Sequence, residues 1–149
     1  MKRIQINEDV CIGCRLCEVW CIVAHSKSKD IIKAFKQEKP RPIAMIRVQE
    51  DIPISFGAQC RHCPEPICVF SCISGALYID ENGIVLHNSK KCVGCWTCIL
   101  VCPYGAIMRN EDEKTALKCD FCMEQGTPSC VEHCPNEGLT LVEVSENGF

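Results

Sequence analysis

Of 149 residues, 16 are cysteine, 47% are hydrophobic, 6% are aromatic, and the formal net charge is −3. Lysine and arginine are scattered in short groups, as between Lys27 and Lys39, which leaves no basic surface for nucleic acid. No apolar run approaches the roughly 20 residues of a membrane-spanning helix. The opening MKRIQINEDV lacks the apolar centre and cleavage site of a secretory signal, so a cytoplasmic chain with reduced thiols is expected rather than a disulfide scaffold.

A strand is predicted over Arg3–Ile6, ahead of a first cysteine group, CIGCRLCEVWC, formed by Cys11, Cys14, Cys17 and Cys21. A helical piece follows the third cysteine of each group, here Cys17–His25. Asp30–Glu38 reads as a separate amphipathic helix ended before Pro40 and Pro42, and its Ile31, Ile32 and Phe35 suit either the core or a docking surface. After a strand over Ala44–Val48 comes the second group, CRHCPEPICVFSC, with Cys60, Cys63, Cys68 and Cys72. Strands over Leu77–Ile79 and Ile84–Leu86 are joined by Asp80-Glu81-Asn82-Gly83, an Asn-Gly hairpin turn. The third group, CVGCWTCILVCP, holds Cys92, Cys95, Cys98 and Cys102, with a helix over Cys98–Cys102 and a strand over Ala106–Met108. The fourth, CDFCMEQGTPSCVEHCP, holds Cys119, Cys122, Cys130 and Cys134 and precedes a strand over Leu139–Val144. These short pieces make a small α+β protein with too little apolar mass for a large core, so much of the interior is expected to be inorganic.

A tight CxxCxxC loop wraps three thiolates around a cubane and leaves its fourth corner to a distant residue. The third group has this spacing and ends in Cys-Pro, the bacterial ferredoxin signature, whose fourth cysteine serves the other cluster. Gly13 and Gly94 sit in the ligand loops, where the missing β-carbon lets backbone N–H groups approach cluster sulfur. A zinc-dependent interaction module is the alternative of a different class, but a tetrahedral zinc site has no need of three cysteines at consecutive two-residue gaps followed by a fourth. Every one of the sixteen ligand positions is cysteine, so four complete [4Fe-4S] clusters are expected, with no iron left open for substrate. With no GxGxxG loop and no nucleophile with its base, the chain is expected to transfer electrons without catalysing a reaction. Each all-thiolate cubane adds negative charge, which favours a locally basic partner surface.

Other residues invite weaker readings. His62 and His133 lie inside ligand groups, yet cysteine fills every ligand position, so a surface role or one behind the ligands is expected for them. Trp20 and Trp96 suit electron relays, but apolar lids that exclude water from a cluster explain them at least as well, so no site role is assigned to them. Lys90, Lys91 and Lys118 precede cysteine groups, where they either moderate cluster charge or, as the commoner explanation has it, form a solvated charge run.

The four groups, with their wide second and fourth gaps, resemble the four-cluster iron–sulfur subunits of the dimethyl sulfoxide reductase and formate dehydrogenase type. The stretches CRHCPEPICVFSCISGAL, KCVGCWTCILVCPYGAI and KCDFC with GTPSCVEHCPNEGL further resemble the CooF-type electron-transfer protein of carbon monoxide dehydrogenase. The resemblance implies two ferredoxin-like dicluster modules related by a pseudo-twofold, one inserted in the other. The outer module comprises 1–56 with 113–149, and the inner 57–112. It implies the ligand sets Cys11, Cys14, Cys17 with Cys134; Cys119, Cys122, Cys130 with Cys21; Cys60, Cys63, Cys68 with Cys102; and Cys92, Cys95, Cys98 with Cys72. It also implies a hetero-oligomer. In it, electrons pass between carbon monoxide dehydrogenase and a second enzyme, such as a flavin NAD(P)H oxidoreductase or a hydrogenase; a formate dehydrogenase, aldehyde oxidoreductase or hydrogenase complex is the alternative. Ile22 and Ile73 stand where bacterial ferredoxins have proline after the fourth ligand, so paired sites are expected to differ in surroundings.

Overall fold

Turn residues, prolines and cysteine loops interrupt this chain so often that, among the described residues, no element exceeds nine residues. The computed structural model describes residues 2–123 and 125–144. Its elements run β1 (Lys2–Ile6), α1 (Leu16–Ala24), α2 (Ile31–Lys36), β2 (Ile46–Asp51), β3 (Ile54–Gln59), α3 (Ile67–Phe70), β4 (Leu77–Ile79) and β5 (Val85–His87), followed by a 3-10 turn at Ser89–Lys91. They continue as α4 (Thr97–Val101), β6 (Ile107–Asn110), β7 (Thr115–Lys118), α5 (Ser129–Glu132) and β8 (Leu139–Glu143). The architecture is that of a small α+β domain, with few short helices and two-stranded antiparallel sheets, compatible with the expected ferredoxin-like class.

Three of the sheets are local hairpins, β2–β3, β4–β5 and β6–β7, whereas the fourth joins the two ends of the chain, Lys2 facing Glu143 and Ile6 facing Leu139. In the β4–β5 turn Asp80 Oδ1 accepts the N–H groups of Asn82 and Ile84 at 3.0 and 2.6 Å, and Gly83 takes a φ of 73°, as the Asn-Gly signal predicts. Helix α1 packs on α5, and α3 packs on α4. The β2–β3 hairpin spans residue 56 and the β6–β7 hairpin spans residue 112, so the two modules implied by the resemblance share both.

Two strands escape the sequence reading. In β3 the buried positions are Ser55, Gly57 and Gln59 while Ile54 is half exposed, so the strand turns its small and polar side chains inward and carries no apolar alternation. A β-carbon at Gly57 would lie 3.0 Å from Ile46 Cδ1 across the ladder, so the buried Ile46 side chain would have to shift to admit it. Strand β7 is buried along Thr115, Ala116 and Lys118, which corrects the reading of Lys118 as solvated; Lys90 and Lys91 are exposed as expected. In α2 the buried residue is Ala34, while Ile31 and Ile32 stay exposed, so its isoleucines are not core.

The core is two apolar clusters, and cysteine belongs to both. One gathers Ile4, Met45, Ile46, Val48, Phe121 and Leu139 around Cys17, Cys21 and Cys130; the other gathers Leu77, Val85, Ile107 and Ala116 around Cys98. Full burial of a Val or Ile contributes about 1.5–3 kcal/mol. With so few such residues the cysteine-lined spaces must carry part of the interior.

Candidate metal centres

Each ligand loop turns at the same place. The residue two positions after the first cysteine of every group is left-handed: Gly13 (φ 65°), His62 (48°), Gly94 (67°) and Phe121 (64°). That conformation swings the peptide N–H toward the preceding sulfur, so His62 N donates to Cys60 Sγ at 3.5 Å and Phe121 N to Cys119 Sγ at 3.4 Å. The glycine cases were legible; the other two spend unfavourable backbone geometry on a histidine and a phenylalanine, and no local signal marks them. Groups one and three then enter their helices through a second left-handed residue, Arg15 and Trp96.

The cysteines converge in fours. Cys11, Cys14, Cys17 and Cys134 line one narrow cavity floored by Val48, Gly57 and Leu139. Cys60, Cys63, Cys68 and Cys102 line another with Pro66, Val85 and Ile107. Cys98 lies within Coulombic reach of Cys72, Cys92 and Cys95. Cys130 lies within reach of Cys21 and Cys122, and Cys119 within reach of Cys130 and Cys21. Cys17 also reaches Cys130, which puts the outer sites side by side.

Burial dominates the thiol chemistry. It pushes Cys17 up to about 12 and Cys68 up to about 11, and holds Cys119 and Cys130 well above the ordinary thiol range. Cys72 goes the other way: burial would raise it, but N–H groups of Leu77, Ala76 and Ser74 and the Ser74 hydroxyl outweigh that. Burial and mutual repulsion keep these thiols protonated, so a set of four thiolates forms there only where metal takes the place of the protons. All sixteen cysteines are free, and their grouping fits four-iron cubanes, which want one thiolate at each corner.

Groups behind the ligands distinguish the sites. Met45 N donates to Cys21 Sγ at 3.2 Å. His25 Nδ1 lies 2.7 Å from the Cys21 carbonyl oxygen and its Nε2 3.1 Å from Asp120, so both nitrogens face acceptors. Burial opposes a charged ring, yet Asp120 and Cys21 outweigh it and lift His25 to about 11. The sequence reading passed over this pair, although His25 stands one helical turn beyond Cys21 and Asp120 directly follows Cys119. His62 is 1% exposed, so of the two roles expected for it the surface one falls and the one behind the ligands stands. Burial, with Lys118 and Arg3 nearby, lowers it to about 3; the neutral ring accepts from Val85 N at 3.2 Å and meets the Phe121 ring edge to face at 5.4 Å. His133 instead stacks on Trp20 at 3.6 Å, tying α5 to α1, and Trp96 lies under the Arg109 guanidinium at 4.3 Å.

A family model described as the 4Fe-4S dicluster domain matches residues 53–144, more than half of the chain and three of its four cysteine groups. The chain belongs to the 4Fe-4S dicluster domain family. Within that family it is similar to the electron transport protein HydN of Escherichia coli, 36% identical over 96% of this chain and 89% of that protein. It is similar to an iron–sulfur protein of Rhodospirillum rubrum, 34% identical over 95% of this chain and 82% of that one. The thiosulfate reductase electron transfer subunit PhsB of Salmonella typhi is 32% identical over 95% and 75%. The chain spans only 22% of a longer Escherichia coli relative, AegA, at 32% identity. Among solved structures, a chain of the active site complex BamBC of benzoyl coenzyme A reductase aligns with a TM-score of 0.52 and 25% identity, over 98% of this chain and 80% of that one. Among the described residues, no helix is long and apolar enough to cross a membrane.

Proposed function

We propose that this chain is a four-cluster electron relay, a subunit that carries electrons between two redox enzymes. The observation that carries the reading is the convergence of the cysteines in fours, each set joining three from one group to one from another. The proposed sets are Cys11, Cys14, Cys17 and Cys134; Cys21, Cys119, Cys122 and Cys130; Cys60, Cys63, Cys68 and Cys102; and Cys72, Cys92, Cys95 and Cys98. A [4Fe-4S] cluster held by four thiolates supplies one-electron transfer. The protein's own part is to hold each thiolate set, keep water away with the apolar residues around it, and donate backbone N–H groups to sulfur.

The sets also support a nested pair of modules related by a pseudo-twofold. The pairing of β1 with β8 and the packing of α1 on α5 belong to the outer module, and the β4–β5 hairpin and the packing of α3 on α4 to the inner. The catalytic partner suggested by the resemblance is carbon monoxide dehydrogenase, with a flavin NAD(P)H oxidoreductase or hydrogenase at the other end. The relative PhsB, named for thiosulfate reductase, favours a second reading in which another oxidoreductase takes the catalytic place.

Metal analysis of anaerobically purified, fully reconstituted protein tests the relay. About sixteen iron and sixteen sulfide per chain are expected. Cys21→Ser should disturb the cluster of Cys119, Cys122 and Cys130 and leave that of Cys11, Cys14 and Cys17 intact by Mössbauer and EPR spectroscopy. Saturation near eight iron, or zinc in its place, overturns the four-cluster reading; damage confined to the Cys11 site overturns the ligand sets.

A further inference from the structure

Where the loops of the second and fourth cysteine groups meet, at His62 and Phe121, two long cationic side chains are buried. Arg3 is 5% exposed and Lys118 is 3% exposed. Lys118 Nζ donates to the carbonyl oxygens of Val85 and Cys119, and among the described residues no carboxylate forms an ion pair with it. A lysine charge held this deep on carbonyl groups alone is costly and needs an opposite charge close by. Cys68 and Cys119 lie within Coulombic reach and would supply it as the thiolates of bound clusters. Arg3 donates to the carbonyl oxygens of Lys2 at 2.9 Å and Gly83 at 3.4 Å and lies within Coulombic reach of Cys60 and Cys63.

We propose that Arg3 and Lys118 are a buried cation pair that raises the reduction potentials of the two clusters whose loops meet there, those of Cys60, Cys63, Cys68 and Cys102 and of Cys21, Cys119, Cys122 and Cys130. This rests on the ligand sets proposed above. Each cluster gains one negative charge on reduction, and a fixed cation in a poorly screened interior stabilises the reduced form. The cationic residues near the other two sets are exposed: Arg15 has a half-exposed side chain, and Lys90 and Lys91 face solvent. The central clusters therefore fill first when the protein is reduced. The position before Cys60 that corresponds to Lys118 before Cys119 holds Gln59, a buried neutral residue.

An anaerobic redox titration followed by EPR, with iron counted in each sample, tests the pair. Lys118→Gln copies a side chain that the fold already accepts before a ligand loop. With iron retained, Lys118→Gln and Arg3→Gln should each lower one or two of the four midpoints while the remainder stay in place. The expected size is about tenfold in the reduced-to-oxidised ratio, or 59 mV for one electron. Lys118→Arg should restore the wild-type values, and the exposed control Lys91→Gln should leave all four unmoved. Midpoints that do not move, or four that fall together, overturn the proposal. So does loss of iron from both Lys118 variants when Arg3→Gln leaves every midpoint in place, for Lys118 is then a packing residue. A wild-type iron content far below sixteen fails the four-cluster reading instead, and the clusters present still show whether removing a cation lowers a potential.

Discussion

Gly94 and Gly105 share a left-handed backbone but not a setting. At Gly94 (φ +67°) an added β-carbon would stand 2.6 Å from the Lys114 carbonyl oxygen, whereas at Gly105 (φ +57°) it would meet nothing within 4 Å. Gly105→Ala should therefore cost only the left-handed penalty, roughly 1–2 kcal/mol. Gly94→Ala adds a backbone clash inside a ligand loop and should cost about 3 kcal/mol or more, with iron lost from the site of Cys92, Cys95 and Cys98. Thermal unfolding and iron retention of the anaerobic holoprotein check both; equal effects at the two positions would remove the role given to close packing. His62 and Phe121 take the same backbone without glycine, held by burial and by their edge-to-face contact.

Among the elements, α2 and the turn before it depend on polar contacts more than on apolar ones. Asp30 caps the helix by accepting from Lys33 N at 2.9 Å. The Glu38 carboxylate reaches back to accept the N–H groups of Lys27 at 3.0 Å and Ser28 at 2.8 Å. Bonds from Ser28 and Lys27 hold its pKa below the usual carboxylate value. A lowered folded-state pKa means that the contribution is complete above the unfolded value and is lost as pH falls through the folded one. The protection factors of the Lys27 and Ser28 amides, that is, exchange relative to the intrinsic rate at each pH, should thus be high near neutrality and fall as Glu38 protonates. Glu38→Gln should abolish that acid dependence; an unchanged pH profile in the variant would mean that the carboxylate does not hold the turn.

At the scale of the whole molecule, cysteines occupy both core clusters and the helices are too short to stand alone. Removing iron anaerobically with a strong chelator should therefore cost most of the ordered secondary structure, seen as loss of the far-UV circular dichroism signal. Reconstitution with iron and sulfide should recover it. A stripped chain that keeps its spectrum would show that the apolar residues suffice. The same dependence explains why two-stranded sheets persist here, since each ladder is anchored beside a ligand loop.

The sequence by itself determined the chemistry: sixteen cysteines in four spaced groups, two glycine turns and an Asn-Gly hairpin are local signals that need no knowledge of the fold. It also marked the helices after the ligand loops, because their apolar periodicity is short-range. Only the tertiary structure decided that β3 is a strand, because its inward face is Ser55, Gly57 and Gln59 and its support comes from β2 rather than from its own pattern. Only it brought His25 to Asp120 across 95 positions and buried Lys118 against Val85 across 33. A charge before a cysteine reads as solvated until another part of the chain closes over it, and that closure is a long-range contact no local pattern encodes.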